Sequence, residues 1–262
     1  MSETSSQSAS LWSAAPEDWA ILQEPQHRPL WMAMQRAAKV GKGTKLLDAG
    51  CGAGGACFLA AHNYGADAWG FDASGELIKL ARQRLPSGHF EVADLAAPPF
   101  SGASFHVILT ANALQFVPEP LAALRIWRER LIPGQGSIVV GLWCPQEENE
   151  QIHIMRAVRA LLPHPPGGGN PFALSPRGML EDLLAQVGVK VKESRDVPIT
   201  FEYPDMETCW RALSSGSMQS AIQIVGGGAV KAAFAGAAQQ FLMTDGSVFI
   251  HNKMRYVLGQ NF

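Results

Sequence analysis

Short apolar runs alternate with helical periodicities through the middle of the chain. Residues 45–47 read as an apolar strand that runs into Asp48-Ala49-Gly50-Cys51-Gly52-Ala53-Gly54-Gly55. Residues 56–64 then read as a helix closed by Gly65, a residue suited to the left-handed cap position. Residues 68–72 form a second strand, and Ser74 caps a helix whose apolar positions Leu77, Ile78, Ala81 and Leu85 share one face. Strands follow at 89–92 and 105–110. Pro120 opens a helix with Leu124, Trp127 and Leu131 inside, and Pro133-Gly134 turns into a fifth strand at 136–143. Repeated strand–helix units predict an α/β fold with a parallel, doubly wound sheet.

The flanks follow other rules. Residues 11–40 read as two helical pieces with Trp12, Trp19 and Trp31, broken at Glu24-Pro25 and Arg28-Pro29. They pack on the side of the domain or form a lid over the glycine-rich turn, where His27 and Arg28 could meet a ligand. Residues 145–174 hold a helical run and a Pro/Gly-rich stretch, an excursion that serves as a lid or a plain insertion. Ser175-Pro176 predicts the start of a helix that stops at Gly188. Residues 189–202 read as a strand, 204–243 as helices broken by glycines 226–228, and 246–258 as a last strand. One domain therefore spans 11–262, behind a Ser-rich, disordered tail at 1–10 with no signal-peptide pattern.

Composition narrows the function classes. The 262 residues are 47% hydrophobic and 17% charged, enough for a sizeable core. A net charge of −2 offers no basic stripe, so nucleic acid is not an expected partner. Cys51, Cys57, Cys144 and Cys209 lack C-x-x-C spacing and read as structural thiols in a reducing cytoplasm. No run of about 20 apolar residues predicts a membrane span. No grouping of His, Asp or Glu has metal-ligand spacing, so no metal is expected.

The chemistry sits in the glycine stretch. A strand turning into a helix through glycines lets a ligand approach the backbone, and the helix offers N–H groups to it. Gly50, Gly52 and Gly55 fit the G-x-G-x-x-G dinucleotide fingerprint. The same residues also read as Asp48-x-Gly50-x-Gly52-x-Gly54. In that acid-led form the stretch resembles the first motif of the class I S-adenosylmethionine-dependent methyltransferases. Asp72 ends the second strand 20 residues after Gly52, where a carboxylate accepts from both hydroxyls of a ribose. Asp94, in Ala93-Asp94-Leu95, resembles the acid of the methyltransferase loop that meets the adenine.

The resemblance covers residues 40–145 closely and the rest loosely. It implies a Rossmann-like, seven-stranded sheet, mostly parallel with an antiparallel last strand, carrying helical lid insertions. It also implies S-adenosyl-L-methionine held by Asp48, Ala49, Gly50, Cys51, Gly52, Asp72, Ala73, Ala93, Asp94, Leu95, Asn112 and Gln115. Trp12-x6-Trp19, the Pro/Gly-rich excursion and Phe201-Glu202-Tyr203-Pro204 look like its small-molecule (type 11-like) branch, whose partner is a small methyl acceptor. Substrate contacts are then expected from 11–40, 145–174 and 204–243. A base is needed only for hydroxyl, phenol, thiol or carbon acceptors; His153 and His164 in the excursion, and His27, are the candidates. Two other readings compete. One is a fold member that binds the cofactor and catalyses rearrangement or cyclisation. The other is a nicotinamide-dependent oxidoreductase, disfavoured by Asp48 and Asp94 and by three tyrosines that all lack a lysine four residues on.

Overall fold

The computed structural model describes residues 9–163 and 170–261. Its strands are β1 Lys45–Ala49, β2 Asp67–Asp72, β3 His89–Val92, β4 Val107–Ala111, β5 Ser137–Trp143, β6 Val189–Tyr203 and β7 Val248–Asn261. They form one seven-stranded sheet in the order β3-β2-β1-β4-β5-β7-β6. The first five run parallel, and β7 is antiparallel to both β5 and β6. This is the expected Rossmann-like sheet. Its order reverses between β1 and β4, which opens a crevice at the carboxyl ends of those strands.

The helices that matter here are α1 Arg28–Ala37, α2 Gly55–Tyr64, α3 Gly75–Arg84, α4 Pro120–Glu129 and α5 Gln151–Arg159, followed by α6 Met179–Gln186, α7 Met206–Ser214, α8 Gln219–Val225 and α9 Gly227–Ala238. Successive strand residues point to opposite faces, so neighbours in sequence enter different cores. Leu46, Val107, Leu109 and Val139 pack with Leu30 and Met34 of α1 and Ala56 and Ala60 of α2. Leu47, Ile108, Ile138 and Val140 pack with Leu124 and Trp127 of α4 and Leu180 and Leu184 of α6.

β6 and β7, at 15 and 14 residues, outrun the seven-residue β5. Their overhang places Ile199, Phe201, Val248 and Ile250 against Cys209, Ala212, Val230 and Phe234 of α7 and α9. That overhang is the floor on which the helical insertion sits.

Several boundaries differ from expectation. α6 starts after Gly178, whose φ of 87° reverses the chain, rather than at Ser175-Pro176. The turn lets Leu180 and Leu184 face the sheet. Phe105 makes an isolated bridge to Leu131 and lies outside β4. Ala9 and Ser10 are helical rather than part of a disordered tail, while residues 1–8 lie outside the described residues. Among the described residues no helix is long and apolar enough to cross a membrane.

Candidate active site

The turn after β1 is built by glycines under real constraint. Gly50, Gly52 and Gly54 have φ of 81°, 54° and 78°. A Cβ on Gly50 would lie 2.4 Å from Ala113 Cβ, because the segment after β4 closes against it. Gly50→Ala is therefore expected to cost about 2 kcal/mol or more in urea unfolding, from strain and overlap together.

Acids gather round this turn. Asp72, at the end of β2, accepts from Gly52 N at 3.0 Å and from Ser74 N at 2.9 Å. Burial pushes its carboxyl up, and the amides of Ser74, Gly52 and Ala73 pull it back. Asp48 is buried; its Oδ2 faces Cys57 Sγ at 3.9 Å and its Oδ1 has no partner. Burial, then the charges of Glu24 and Asp72, hold its carboxyl well above the usual carboxylate range. Burial likewise pushes the Cys51 and Cys57 thiols well up, so neither is a nucleophile.

The third acid comes from the N-terminal segment. A helical turn at Pro16–Asp18, a π turn at Trp19–Gln23 and a 3-10 turn at Glu24–His27 lead into α1. Glu24 reaches from there to the start of α2, where its Oε1 accepts from Ala53 N at 2.7 Å. Its other oxygen pairs with Arg84 of α3, which also donates to Ala53 O at 2.9 Å and Ala20 O at 2.8 Å. The Ala53 N–H just ahead of α2, where a ligand is expected to meet the backbone, is thus already engaged by a side chain of the chain itself.

Two cavities meet above this turn. A narrow cleft of about 100 Å³ is lined by Asp48, Gly50, Cys51, Gly52, Asp72, Ala73 and Leu95, with Trp19 and Glu24 across it. A larger cavity of about 550 Å³ lies between α5, the N-terminal aromatic segment and residues 213–221, in the size range of small-molecule sites. Trp12, Trp19, His27, Asn112 and Phe116 line both. Trp12 stacks edge-on against Trp19 (centroids 4.7 Å apart) and Phe116 (6.2 Å), so the junction is largely aromatic.

His27 stands at that junction. It is buried among Trp19, Trp31, Trp143 and Phe201. Its Nδ1 is 3.3 Å from Glu24 O, and its Nε2 has no partner. Burial lowers the imidazole to about 4 against the opposing backbone bonds of Glu24 and Gln23, so it is neutral at pH 7. An unfolded histidine near 6.5 binds protons the folded one refuses, so stability is full above pH 6.5 and falls as pH drops toward 4. The loss amounts to about 3 kcal/mol. His27→Gln should flatten this part of the stability–pH curve measured by denaturant unfolding.

The other sequence candidates fall in different places. Asn112 has a φ of 57° and accepts from Gln115 Nε2 at 2.5 Å; Gln115 is buried, with Oε1 unpartnered, and supports Asn112 from behind. Ala93 N bonds Asp72 O at 3.0 Å, which ties the β3 loop to β2. Asp94 Oδ1 accepts from Ala96 N at 2.9 Å within a turn, and Leu95, not Asp94, lines the cleft. His153 is exposed on α5 and lines neither cavity; from the same helix Ile152, Met155 and Arg156 line the larger one. His164 lies outside the described residues. Arg28 is exposed and lines an outer groove with Arg36 and Glu202, away from the junction. From the two insertions, Ile152, Pro171, Phe172, Gly216 and Met218 do line the larger cavity. Trp19 and Glu24 had no motif to mark them beyond the Trp-rich prefix, and Arg84 had none.

Cys144, Glu148 and Asp196 approach one another as metal ligands could. Arg177 already pairs with both carboxylates, at 2.7 Å and 2.8 Å, and Lys253 Nζ lies 2.8 Å from Glu148. This is a compensated ion cluster.

Residues 46–134 match a family described as a methyltransferase domain. The chain is 32% identical over 153 residues to a trans-aconitate 2-methyltransferase of Variovorax paradoxus (strain S110), covering 56% of this chain and 58% of that protein. It is 32% identical over 106 residues to phosphoethanolamine N-methyltransferase 3 of Arabidopsis thaliana, covering 39% of this chain and 21% of that protein. The chain thus spans little more than half of the first relative and about a fifth of the second. In fold it is similar to the YcgJ protein of Bacillus subtilis, with a TM-score of 0.59 at 18% identity over 90% of this chain and 99% of that one.

Proposed function

We propose that this chain, whose residues 46–134 belong to the methyltransferase domain family, uses S-adenosyl-L-methionine to methylate a small molecule bound in the larger cavity. The observation that carries the cofactor choice is the acidic lining of the cleft. Glu24, Asp48 and Asp72 line it, and no lysine or arginine does among the described residues. Arg84 compensates only Glu24. A dinucleotide would need to set a pyrophosphate on the start of α2, where Glu24 already sits. A sulfonium and an ammonium are welcome among these acids; two phosphates are not.

The residues present fit such a cofactor. Trp19 Nε1, a buried donor without a partner, suits a carboxylate, and the unpartnered Asp48 Oδ1 suits an ammonium. Asp72 keeps acceptor capacity beyond its two amide bonds for ribose hydroxyls. The cleft alone is smaller than the few hundred Å³ of a typical ligand site, and it shares Trp12, Trp19, His27, Asn112 and Phe116 with the larger cavity beside it.

When bound, the cofactor supplies an electrophilic methyl group on a good leaving group. The protein's work is then placement of the acceptor in line. Trp12, Trp19 and Phe116 keep water from the junction and favour a cation there. His27 Nε2, buried and unpartnered on a residue that lines the junction, is a neutral acceptor able to orient an O–H or N–H of the substrate. Four free, buried cysteines support a reducing, cytoplasmic setting. The test is product analysis: with a true acceptor, S-adenosylhomocysteine must form one for one with a product gaining a CH2. A product of unchanged formula, without S-adenosylhomocysteine, would instead mark a rearrangement enzyme.

A further inference from the structure

Among the described residues the larger cavity carries charge of one sign only. Arg156 and Arg159 lie one turn apart on α5 and line its wall, and no described aspartate or glutamate does. Among the described residues neither forms an ion pair, whereas Arg84, Arg177, Arg211 and Arg255 all do. Glu147 acts on Arg156 through its field alone and is not on the wall. The sequence just beyond α5, residues 164–169, contains no acid that could serve as a counter-charge. The chain as a whole is at −2, so this positive pair is a local feature and not the spill-over of a basic protein.

The rest of the wall is largely apolar and aromatic, with Trp143, Ile152, Met155, Phe172 and Met218, and carries uncharged polar side chains at Gln23, Gln146, Gln151 and Asn170. His27 stands where it joins the cleft. Two guanidinium groups on exposed residues, beside a largely apolar interior, match a ligand with an anionic head and a mainly apolar body. Their fork of donors suits a carboxylate or phosphate, and desolvation of the body supplies the remaining affinity. We propose that the methyl acceptor is an organic anion, an apolar or aromatic body whose carboxylate or phosphate rests on Arg156 and Arg159 while the far end reaches His27. This rests on reading the larger cavity as the acceptor site.

Calorimetric titration with four probes of one shape tests it: hydrocinnamate, hydrocinnamyl phosphate, hydrocinnamyl alcohol and phenylpropylamine. The expected result is that at least one anion binds about tenfold or more tighter than the alcohol, with the amine weakest. The tighter anion identifies the head group. In the Arg156→Ala/Arg159→Ala double variant that preference should vanish while the alcohol's affinity stays put. Equal or tighter binding of the alcohol or amine to the wild type would overturn the proposal, as would an anion preference that survives in the double variant. S-adenosylhomocysteine is titrated into the same samples. Its failure to bind would sink the methyltransferase reading, whereas the four-probe comparison judges the arginine pair separately.

Discussion

Asp72→Ala is expected to weaken S-adenosylhomocysteine binding about 100-fold in calorimetric titration. The side chain does two jobs through one carboxylate. It holds the turn by accepting from Gly52 N and Ser74 N, and it lines the cleft where ribose hydroxyls would donate. Hydrogen bonds to an ionised acceptor contribute about 1.5–3 kcal/mol each, so losing the ribose contacts alone accounts for most of the effect. Asp72→Asn keeps one oxygen to receive an amide and should fall between wild type and alanine. Unaltered affinity in a folded Asp72→Ala protein would remove Asp72 from the cofactor site.

The second large effect concerns the cap. Glu24→Ala is expected to lower stability by about 3 kcal/mol, because Ala53 N loses its acceptor and Arg84 loses its counter-charge. The pair is well shielded, with side chains 4% and 26% exposed, so solvent offers little compensation. For a chain of this size that corresponds to a Tm lower by about 6–12 °C. Glu24→Gln preserves an acceptor for Ala53 N and removes only the charge, so it should cost less than alanine. A Tm within about 2 °C of wild type for Glu24→Ala would mean that the carboxylate does not anchor the cap.

The parts of this molecule that repeat were legible in the sequence; the parts that fold back were not. Each parallel strand and its helix are neighbours in the chain, and periodicity, Ser74 and Gly65 mark their limits. The acid at the tip of β2 could be placed because strand ends and glycine turns fix their positions along the sheet. Glu24 offers no such cue. It reaches Ala53 across 29 residues, and its role depends on how the π and 3-10 turns aim the segment before α1. His27 was a candidate on proximity alone; its significance comes from Trp143 and Phe201, which arrive from β5 and β6. His153 illustrates the converse. Its helix was correctly seen, yet a helix has several faces, and α5 turns Ile152 and Met155 inward and His153 out.

The central claim is that the acid-lined cleft holds a sulfonium cofactor and not a dinucleotide. Calorimetric titration of the protein with S-adenosylhomocysteine and, separately, with NADH tests it most directly. Micromolar binding of S-adenosylhomocysteine with none of NADH is the predicted result. Binding of NADH with none of S-adenosylhomocysteine would contradict it, and the assignments of Asp48 and Glu24 would fall with it.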